Sequence, residues 1–262
     1  MFHDPATRRS ILPDEIVYAP PGASRRVSLR CPGCGATTCA APVLTVPSFE
    51  PPHARLELHR CEACGTLAFD PPGVTDIADV DQVAADVWRH YVEAGGDVWE
   101  TAWPALVAKD RGTLLDVGCG FGFGVDFWRS SGRGDAIGVD SAAYGRLGAE
   151  MLGAPIVPDR LEAGARFAGR LFDVVLASEV IEHTPDPRAF AALLARHVAD
   201  DGILAMTTPD AACVDPAAAP AITLAALSPG FHGFLLSRRA FEAAAVDAGL
   251  VQVGRRPTVD GV

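Results

Sequence analysis

A short apolar run that ends in an acid and continues into closely spaced glycines constrains the fold of this sequence most. Residues 113–117 (TLLDV) predict a buried strand, Gly118, Gly120 and Gly122 follow at once, and residues 123–129 carry a helical pattern. Strand, glycine turn and helix in this order predict the first unit of a parallel α/β sheet. Its turn should lie at the carboxyl edge of the sheet, where open α/β folds bind their ligands.

A second predicted strand supports a ligand with a ribose at this edge. Residues 136–139 (AIGV) form a short apolar run that ends on Asp140, 20 residues beyond the middle glycine of the turn. An acid at that point commonly binds ribose hydroxyls. The dinucleotide pattern GxGxxG fails in each register, because its third glycine position holds Phe123, Val125 or Phe127.

The acid within the first predicted strand indicates the charge of the ligand. The carboxylate of Asp116 is expected to point at the glycine turn, where it would repel a pyrophosphate and attract a ligand with ammonium and sulfonium groups. S-adenosylmethionine carries both of these groups, so it is the predicted cofactor.

Three segments in order resemble the motifs of the class I S-adenosylmethionine-dependent methyltransferases. They are residues 114–124 (LLDVGCGFGFG), 137–140 (IGVD) and 172–183 (FDVVLASEVIEH), and the resemblance spans roughly residues 112–254. It implies an α/β fold, a Rossmann-like methyltransferase sheet with helices on both faces. The competing interpretation is a related nucleotide-binding sheet without methyl transfer.

The resemblance also implies which residues bind the cofactor. Asp116 would lie near the methionine ammonium, the glycines of the turn would line the methionine moiety, and Asp140 would hold the ribose. Asp159, after a short predicted strand at residues 156–157, matches the place where an acid meets the adenine amine. The implied cofactor-binding residues are Asp116, Gly118, Cys119, Gly120, Asp140, Ser141, Asp159 and Glu179.

Two copies of the sequence CxxCG predict a metal site in the N-terminal part of the chain. The four cysteines, Cys31, Cys34, Cys61 and Cys64, can complete a closed tetrahedral shell of thiolates, which is typical of a structural Zn²⁺. Cys39 could substitute as a ligand, but a small buried side chain is the preferred interpretation.

The predicted elements divide the chain into three parts. Residues 54–58 (ARLEL), Leu67 and Phe69 predict strands of a small zinc ribbon, and a helical pattern with four aromatic residues covers residues 79–107. We therefore expect an N-terminal tail and zinc ribbon over 1–75, a helical connector over 76–110 and the Rossmann-like domain over 111–262.

Two histidines are candidates for acceptor chemistry. Methyl transfer from a sulfonium requires alignment and, for many acceptors, removal of a proton, for which a histidine is suited. His183 ends the segment that follows a predicted buried strand, and His232 precedes a helix predicted over residues 237–248. The alternative for His183 is that it and Glu182 only cap or solvate the start of a helix.

A looser similarity concerns the acceptor. A zinc ribbon followed by a methyltransferase domain with such histidines resembles sugar C-methyltransferases, which implies a small-molecule, sugar or glycan acceptor. A hydroxyl compound or a peptide remains an alternative acceptor. The alternative functions are a cofactor-binding scaffold without turnover and an RNA methyltransferase.

Charge and hydropathy exclude several classes of partner. The net charge of −11 disfavours nucleic acid, because phosphate binding relies on clustered Lys and Arg. No apolar run is long enough for a membrane span and residues 1–21 lack the core of a secretory signal, so a cytoplasmic location is expected.

The C-terminal part of the sequence departs from the class I pattern. That class usually ends with two antiparallel strands, whereas residues 250–253 are the only remaining candidate before a polar tail. We therefore expect a missing final strand. Either a protein partner covers that edge of the sheet, or the chain is a truncated domain with impaired acceptor binding.

Overall fold

The structure is a computed structural model that describes residues 11–20, 22, 26–50, 52–70, 109–161 and 166–254. The helical stretch expected over residues 79–107, with Trp88, Tyr91, Trp99 and Trp103, lies outside these ranges. No helix in the described ranges is long and apolar enough to cross a membrane.

An antiparallel sheet forms around the two CxxCG motifs. Its strands lie in the order β1-β3-β4-β5-β11, and β2 pairs with β3. The strands are β1 (Val17–Tyr18), β2 (Val27–Arg30), β3 (Thr37–Pro47), β4 (Arg55–Cys61), β5 (Leu67–Asp70) and β11 (Phe234–Leu235). The strands expected at residues 54–58 and at Leu67 and Phe69 are thus present as β4 and β5.

A second sheet of five strands is parallel throughout. Its order is β10-β9-β6-β7-β8. The strands are β6 (Leu114–Val117), β7 (Ala136–Val139), β8 (Ile156–Val157), β9 (Phe172–Ser178) and β10 (Val198–Thr207). β7 and β8 lie on one side of the central strand β6, and β9 and β10 lie on the other. The carboxyl ends of β6, β7 and β9 therefore meet at a topological switch point.

Five α-helices belong to the described residues. They are α1 (Phe123–Ser130), α2 (Ala143–Leu152), α3 (Pro187–Ala195), α4 (Pro220–Leu227) and α5 (Arg238–Asp247). Local capping explains two of the starts: the Asp186 carboxylate accepts from two backbone N–H groups at the start of α3, and the Ser237 hydroxyl caps α5.

Both faces of the parallel sheet are covered, as the sequence predicts. Leu114 packs with Val125 and Trp128 of α1 in one buried cluster. The next residue, Leu115, belongs to a separate cluster with Leu194 of α3. This alternation is the pattern of a strand buried on both faces, which confirms the Rossmann-like fold class.

The end of the chain returns to the N-terminal sheet. In β11, Phe234 pairs with Ala68 and Leu235 pairs with Leu67 of β5. Leu227 and Leu235 also enter the hydrophobic cluster of the N-terminal sheet. The expected parts 1–75 and 111–262 therefore share a sheet and a core, and the division into separate domains stays a prediction.

Residues 250–253 carry no regular secondary structure. Among the described residues, β10 pairs only with β9, so β10 is one edge of the parallel sheet. A protein partner at that edge stays a prediction.

We expect replacement of Leu235 by alanine to destabilise the chain because this side chain is fully buried in the shared cluster. The free energy of unfolding, measured by urea denaturation, should fall by about 2–5 kcal/mol. Leu171→Ala is the control, since Leu171 is 54% exposed. Similar effects of the two substitutions would contradict a core shared between β11 and the N-terminal sheet.

Candidate functional site

The glycine turn after β6 has a backbone conformation that glycine adopts more readily than other residues. Gly118, Gly120 and Gly122 all have left-handed backbones, with φ of 67°, 52° and 80°. A Cβ atom on Gly118 would lie 2.4 Å from Cγ2 of Val180. The turn therefore requires glycine for its conformation and, at Gly118, also for its space.

Asp140 holds this turn in place. Its Oδ2 accepts a hydrogen bond from the Gly120 N–H at 2.7 Å, and its Oδ1 accepts one from the Ala142 N–H at 2.8 Å. Burial raises the pKa of Asp140, and these two bonds oppose that shift. A carboxylate oxygen accepts more than one hydrogen bond, so Asp140 retains capacity for hydroxyl groups of a ligand.

Asp116 places a second buried acid beside the turn. It is 5% exposed. Burial, and then the negative charge of Asp140, raise the pKa of Asp116 to about 7. A positive ligand group at this position would reverse both effects, because it favours the charged carboxylate.

The other predicted cofactor-binding residues lie at the same edge of the sheet. Cys119 belongs to the glycine turn, and burial raises the pKa of its thiol. Ser141 directly follows Asp140, whose N–H donates to the carbonyl of Val157 at the end of β8. Asp159 follows β8 and is exposed.

Glu179 follows β9 with a strained backbone. Its φ is 54°, which is uncommon for a residue other than glycine, and its N–H donates to the Thr207 carbonyl at 3.1 Å. Such strain is concentrated at functional positions, so it supports the prediction that Glu179 lines a site.

The two candidate histidines meet in one cluster with Glu182. The rings of His183 and His232 are 4.7 Å apart and nearly perpendicular. Nε2 of His232 lies 3.9 Å from Oε1 of Glu182. Glu182 is fully buried, which argues against the alternative that this residue solvates the start of a helix.

Burial disfavours charge throughout this cluster. It lowers the pKa of His183, and with the neighbouring His183 it lowers the pKa of His232 to about 3. Burial, and then the charge of Glu179, raise the pKa of Glu182 well above its ordinary range. Both imidazoles are therefore neutral near pH 7 and retain a lone pair.

Three partners of the cluster were not predicted from the sequence. The Thr208 hydroxyl donates to Oε2 of Glu182 at 3.0 Å. Nδ1 of His183 lies 3.0 Å from the Phe231 carbonyl, and Nδ1 of His232 lies 2.7 Å from the Ala226 carbonyl. Thr208 directly follows β10, so its position at the end of an apolar run was a usable signal, whereas nothing in the sequence indicated the two carbonyl groups.

The four predicted metal ligands are brought together. Sγ of Cys31 lies 3.5 Å from Sγ of Cys64, and Sγ of Cys34 lies 3.9 Å from Sγ of Cys61. All four sulfur atoms lie within 4.8 Å of one another. Cys39 is exposed, so the prediction of a small buried side chain there is wrong; it lies on β3, outside the four-cysteine cluster.

The two knuckles have matching backbones. In each, the glycine after the second cysteine donates its N–H to the carbonyl of the first cysteine at 2.8 Å. These glycines, Gly35 and Gly65, have φ of 72° and 85°. The repeated geometry explains why each CxxC motif is followed by glycine.

Backbone bonds connect the second knuckle to the histidine cluster. Gly233 donates its N–H to the Glu182 carbonyl at 3.1 Å, and its own carbonyl accepts from the Phe69 N–H at 3.2 Å. The Ser237 hydroxyl donates to the Cys64 carbonyl at 2.6 Å. The cysteine cluster thus supports the segment that carries His232.

The parallel sheet, the glycine turn and the acids on β6 and after β7 together define a Rossmann-like S-adenosylmethionine-dependent methyltransferase. Residues 88–253 match the family described as "Methyltransferase domain". Because this match covers more than half of the chain, the chain belongs to that family.

A curated relative is also a methyltransferase. The chain is 34% identical over 101 residues to a ubiquinone biosynthesis O-methyltransferase of Pectobacterium carotovorum, across 36% of this chain and 42% of the relative. It therefore spans less than half of that curated relative.

Solved structures share the fold. An O-methyltransferase family protein from Burkholderia thailandensis has a TM-score of 0.53 at 22% identity, over 67% of this chain and 55% of that one. A chain from the complex of the Haloferax volcanii Trm112 methyltransferase activator with a methyltransferase has a TM-score of 0.50 at 16% identity, over 61% and 72%.

The pKa of Asp116 predicts a pH dependence with a definite sign. The folded chain keeps this proton up to about pH 7, whereas an unfolded aspartate releases it near 3.8. The cofactor-free chain should therefore lose stability as the pH rises from about 4 to about 7, and cofactor binding, which favours the carboxylate, should release a proton.

Calorimetry in buffers of different ionisation enthalpy measures this proton release at pH 6. S-adenosylmethionine affinity should fall by up to about tenfold per pH unit below 7. Asp116→Asn is the control that removes the titrating group. An equal proton release by this variant would contradict the assignment to Asp116.

Proposed function

We propose that this chain binds S-adenosylmethionine at the carboxyl edge of β6 and β7 and transfers its methyl group to a small-molecule or glycan acceptor. The observation that carries the proposal is the pair of bonds from Asp140 to the Gly120 and Ala142 amides. These bonds fix the glycine turn and a ribose-binding acid in one unit.

The residues around the turn suit the cofactor in charge and shape. Asp116 would bind the methionine ammonium, and Asp140 would accept hydrogen bonds from the ribose hydroxyls. The left-handed glycines hold the turn in a conformation that residues with side chains rarely adopt. Asp159, Ser141, Cys119 and Glu179 are proposed to complete the donor site. The cofactor supplies an electrophilic methyl group on a sulfonium.

The histidine cluster suits the removal of a proton from the acceptor. His183 is partly exposed, whereas His232 is 8% exposed, so His183 has the better access to an acceptor. If Nδ1 of His183 carries a proton, it donates to the Phe231 carbonyl and leaves the Nε2 lone pair as the proton acceptor. The Pectobacterium relative is named an O-methyltransferase, which supports a hydroxyl oxygen as nucleophile.

The proposal includes one structural Zn²⁺ in the four-cysteine cluster. A tetrahedral site with Zn–S bonds of about 2.3 Å places its sulfur atoms about 3.8 Å apart. The separations of 3.5 Å and 3.9 Å fit that geometry. Burial raises the pKa of the Cys31 and Cys64 thiols, and a bound cation would offset that effect.

Replacement of Asp140 by alanine tests the donor site. Titration calorimetry should show micromolar binding of S-adenosylmethionine to the intact chain and a loss of at least about tenfold in the variant, because the bond that fixes the turn and the proposed contact with the ribose both disappear. Asp126→Ala, on the exposed face of α1, is the control.

The two ways in which this experiment can fail have different meanings. If the folded intact chain does not bind the cofactor, the enzyme proposal is wrong. If it binds the cofactor but transfers no radiolabelled methyl group to a panel of sugars, glycans and phenols, the scaffold alternative is favoured.

Replacement of Cys34 by serine tests the zinc proposal. Elemental analysis should find one Zn²⁺ fewer per chain than in the intact protein, and the melting temperature should fall because a structural site contributes folding energy. Cys39→Ser is the matched control, since Cys39 lies outside the cluster. If Cys34→Ser retains all of its zinc, the proposed four-cysteine zinc site is wrong.

A further inference from the structure

We propose that Glu182, His183 and His232 form a second metal site, which binds a divalent transition-metal ion in an open coordination shell. This site is separate from the four-cysteine cluster, and its catalytic role rests on the proposed methyl transfer. The binding of a metal ion at this site does not depend on that proposal.

The three side chains converge on one point. One possible ligand atom from each of them lies within 4.8 Å of the other two. Oε1 of Glu182 and Nε2 of His232 are 3.9 Å apart. Bonds of about 2.0–2.2 Å from one ion to imidazole and carboxylate ligands need ligand atoms roughly 3–4 Å apart, so a small inward shift completes the shell.

Hydrogen bonds orient both imidazoles for coordination. Nδ1 of His183 faces the Phe231 carbonyl and Nδ1 of His232 faces the Ala226 carbonyl, and a carbonyl can only accept. Each Nδ1 therefore carries the proton, and each Nε2 keeps a lone pair. Histidines that bind metals almost always donate their other ring N–H in this way.

One oxygen of the carboxylate lies on the same side. Oε2 of Glu182 accepts from the Thr208 hydroxyl, which fixes the plane of the carboxylate. Oε1 is buried and accepts no hydrogen bond from a backbone N–H or a neutral side chain among the described residues, and the acidic side chain of Glu179 lies beside Glu182. A buried carboxyl oxygen beside a second acid requires a compensating group, and a metal ion in contact with Oε1 and two imidazole nitrogens supplies one.

The ligand set indicates the kind of ion and its role. Two histidines and one carboxylate suit zinc, iron(II) or a similar divalent ion, and three protein ligands leave a position for an exogenous group. His183 is the partly exposed member, so that position would open toward the acceptor side.

An acceptor hydroxyl at the open position would be more acidic than in water and would release its proton to solvent. Its oxygen would then form the bond to the methyl carbon as the methyl–sulfur bond breaks, giving the methyl ether and S-adenosylhomocysteine. In the metal-bound protein the two histidines are ligands and not proton acceptors.

Cobalt binding to the full chain, loaded beforehand with one zinc ion per chain for the four-cysteine cluster, tests this proposal. Equilibrium dialysis against micromolar Co²⁺ should add one cobalt per chain, with d–d absorption and no thiolate charge-transfer band. Glu182→Gln keeps the size of the side chain and an oxygen for Thr208, and it should reduce cobalt binding at least tenfold. His183→Gln should have the same effect.

His197→Gln is the matched control, because His197 is also buried and also has Nδ1 against a backbone carbonyl. It should bind cobalt as the intact chain does. No added cobalt in the intact chain would overturn the proposal. So would equal cobalt binding by Glu182→Gln and His183→Gln, with circular dichroism confirming that these variants are folded.

The same samples separate this proposal from the proposed function. Calorimetry measures S-adenosylmethionine binding to the intact chain with and without cobalt. If the intact chain binds cobalt at this site but not the cofactor, the metal site stands and the methyltransferase proposal fails. If the intact chain binds the cofactor and no cobalt, the metal site fails and the methyltransferase proposal stands.

Discussion

The hydrogen bond from the Gly120 amide to Asp140 is the interaction on which the proposed donor site depends. It joins the turn after β6 to the end of β7 at 2.7 Å. Three residues of the turn are left-handed glycines, which have many accessible conformations when unfolded, so the fixed carboxyl acceptor of Asp140 is an effective way to select one of them. Asp116 then lies beside a fixed backbone surface and not beside a loose loop.

The proposed acceptor side depends on a different constraint, the backbone of Gly233. Its N–H binds Glu182 after β9, and its carbonyl binds Phe69 of β5. The segment that carries His232 is therefore held between the two sheets. In this arrangement the four-cysteine cluster has a supporting role and not a catalytic one. A stable second knuckle supports β5, β11 and the start of α5.

The parts of the fold that the sequence predicts are those encoded locally. The alternation of strand, glycine turn and helix, the acid 20 residues after Gly120 and the repeated CxxCG each depend on residues close together along the chain. Local spacing fixes their geometry, so these predictions placed the turn, Asp140 and the four cysteines correctly.

The remaining features arise from long-range packing. The pairing of β11 with β5 joins residues about 170 positions apart, and no local pattern distinguishes a two-residue strand that closes another sheet. The burial of Glu182 beside His232 depends on the same pairing. Cys39 was mispredicted because its exposure is set by the neighbours of β3 and not by its residue type.

A crystal structure with bound S-adenosylhomocysteine would show whether the glycine turn and its two acids bind the cofactor. We predict that the amino-acid moiety lies beside Asp116 and the glycine turn, that the ribose hydroxyls lie on Asp140, and that the sulfur is directed toward the cluster of His183 and His232. A ligand bound elsewhere, or bound here with its sulfur facing away from that cluster, would show that the proposed site is wrong.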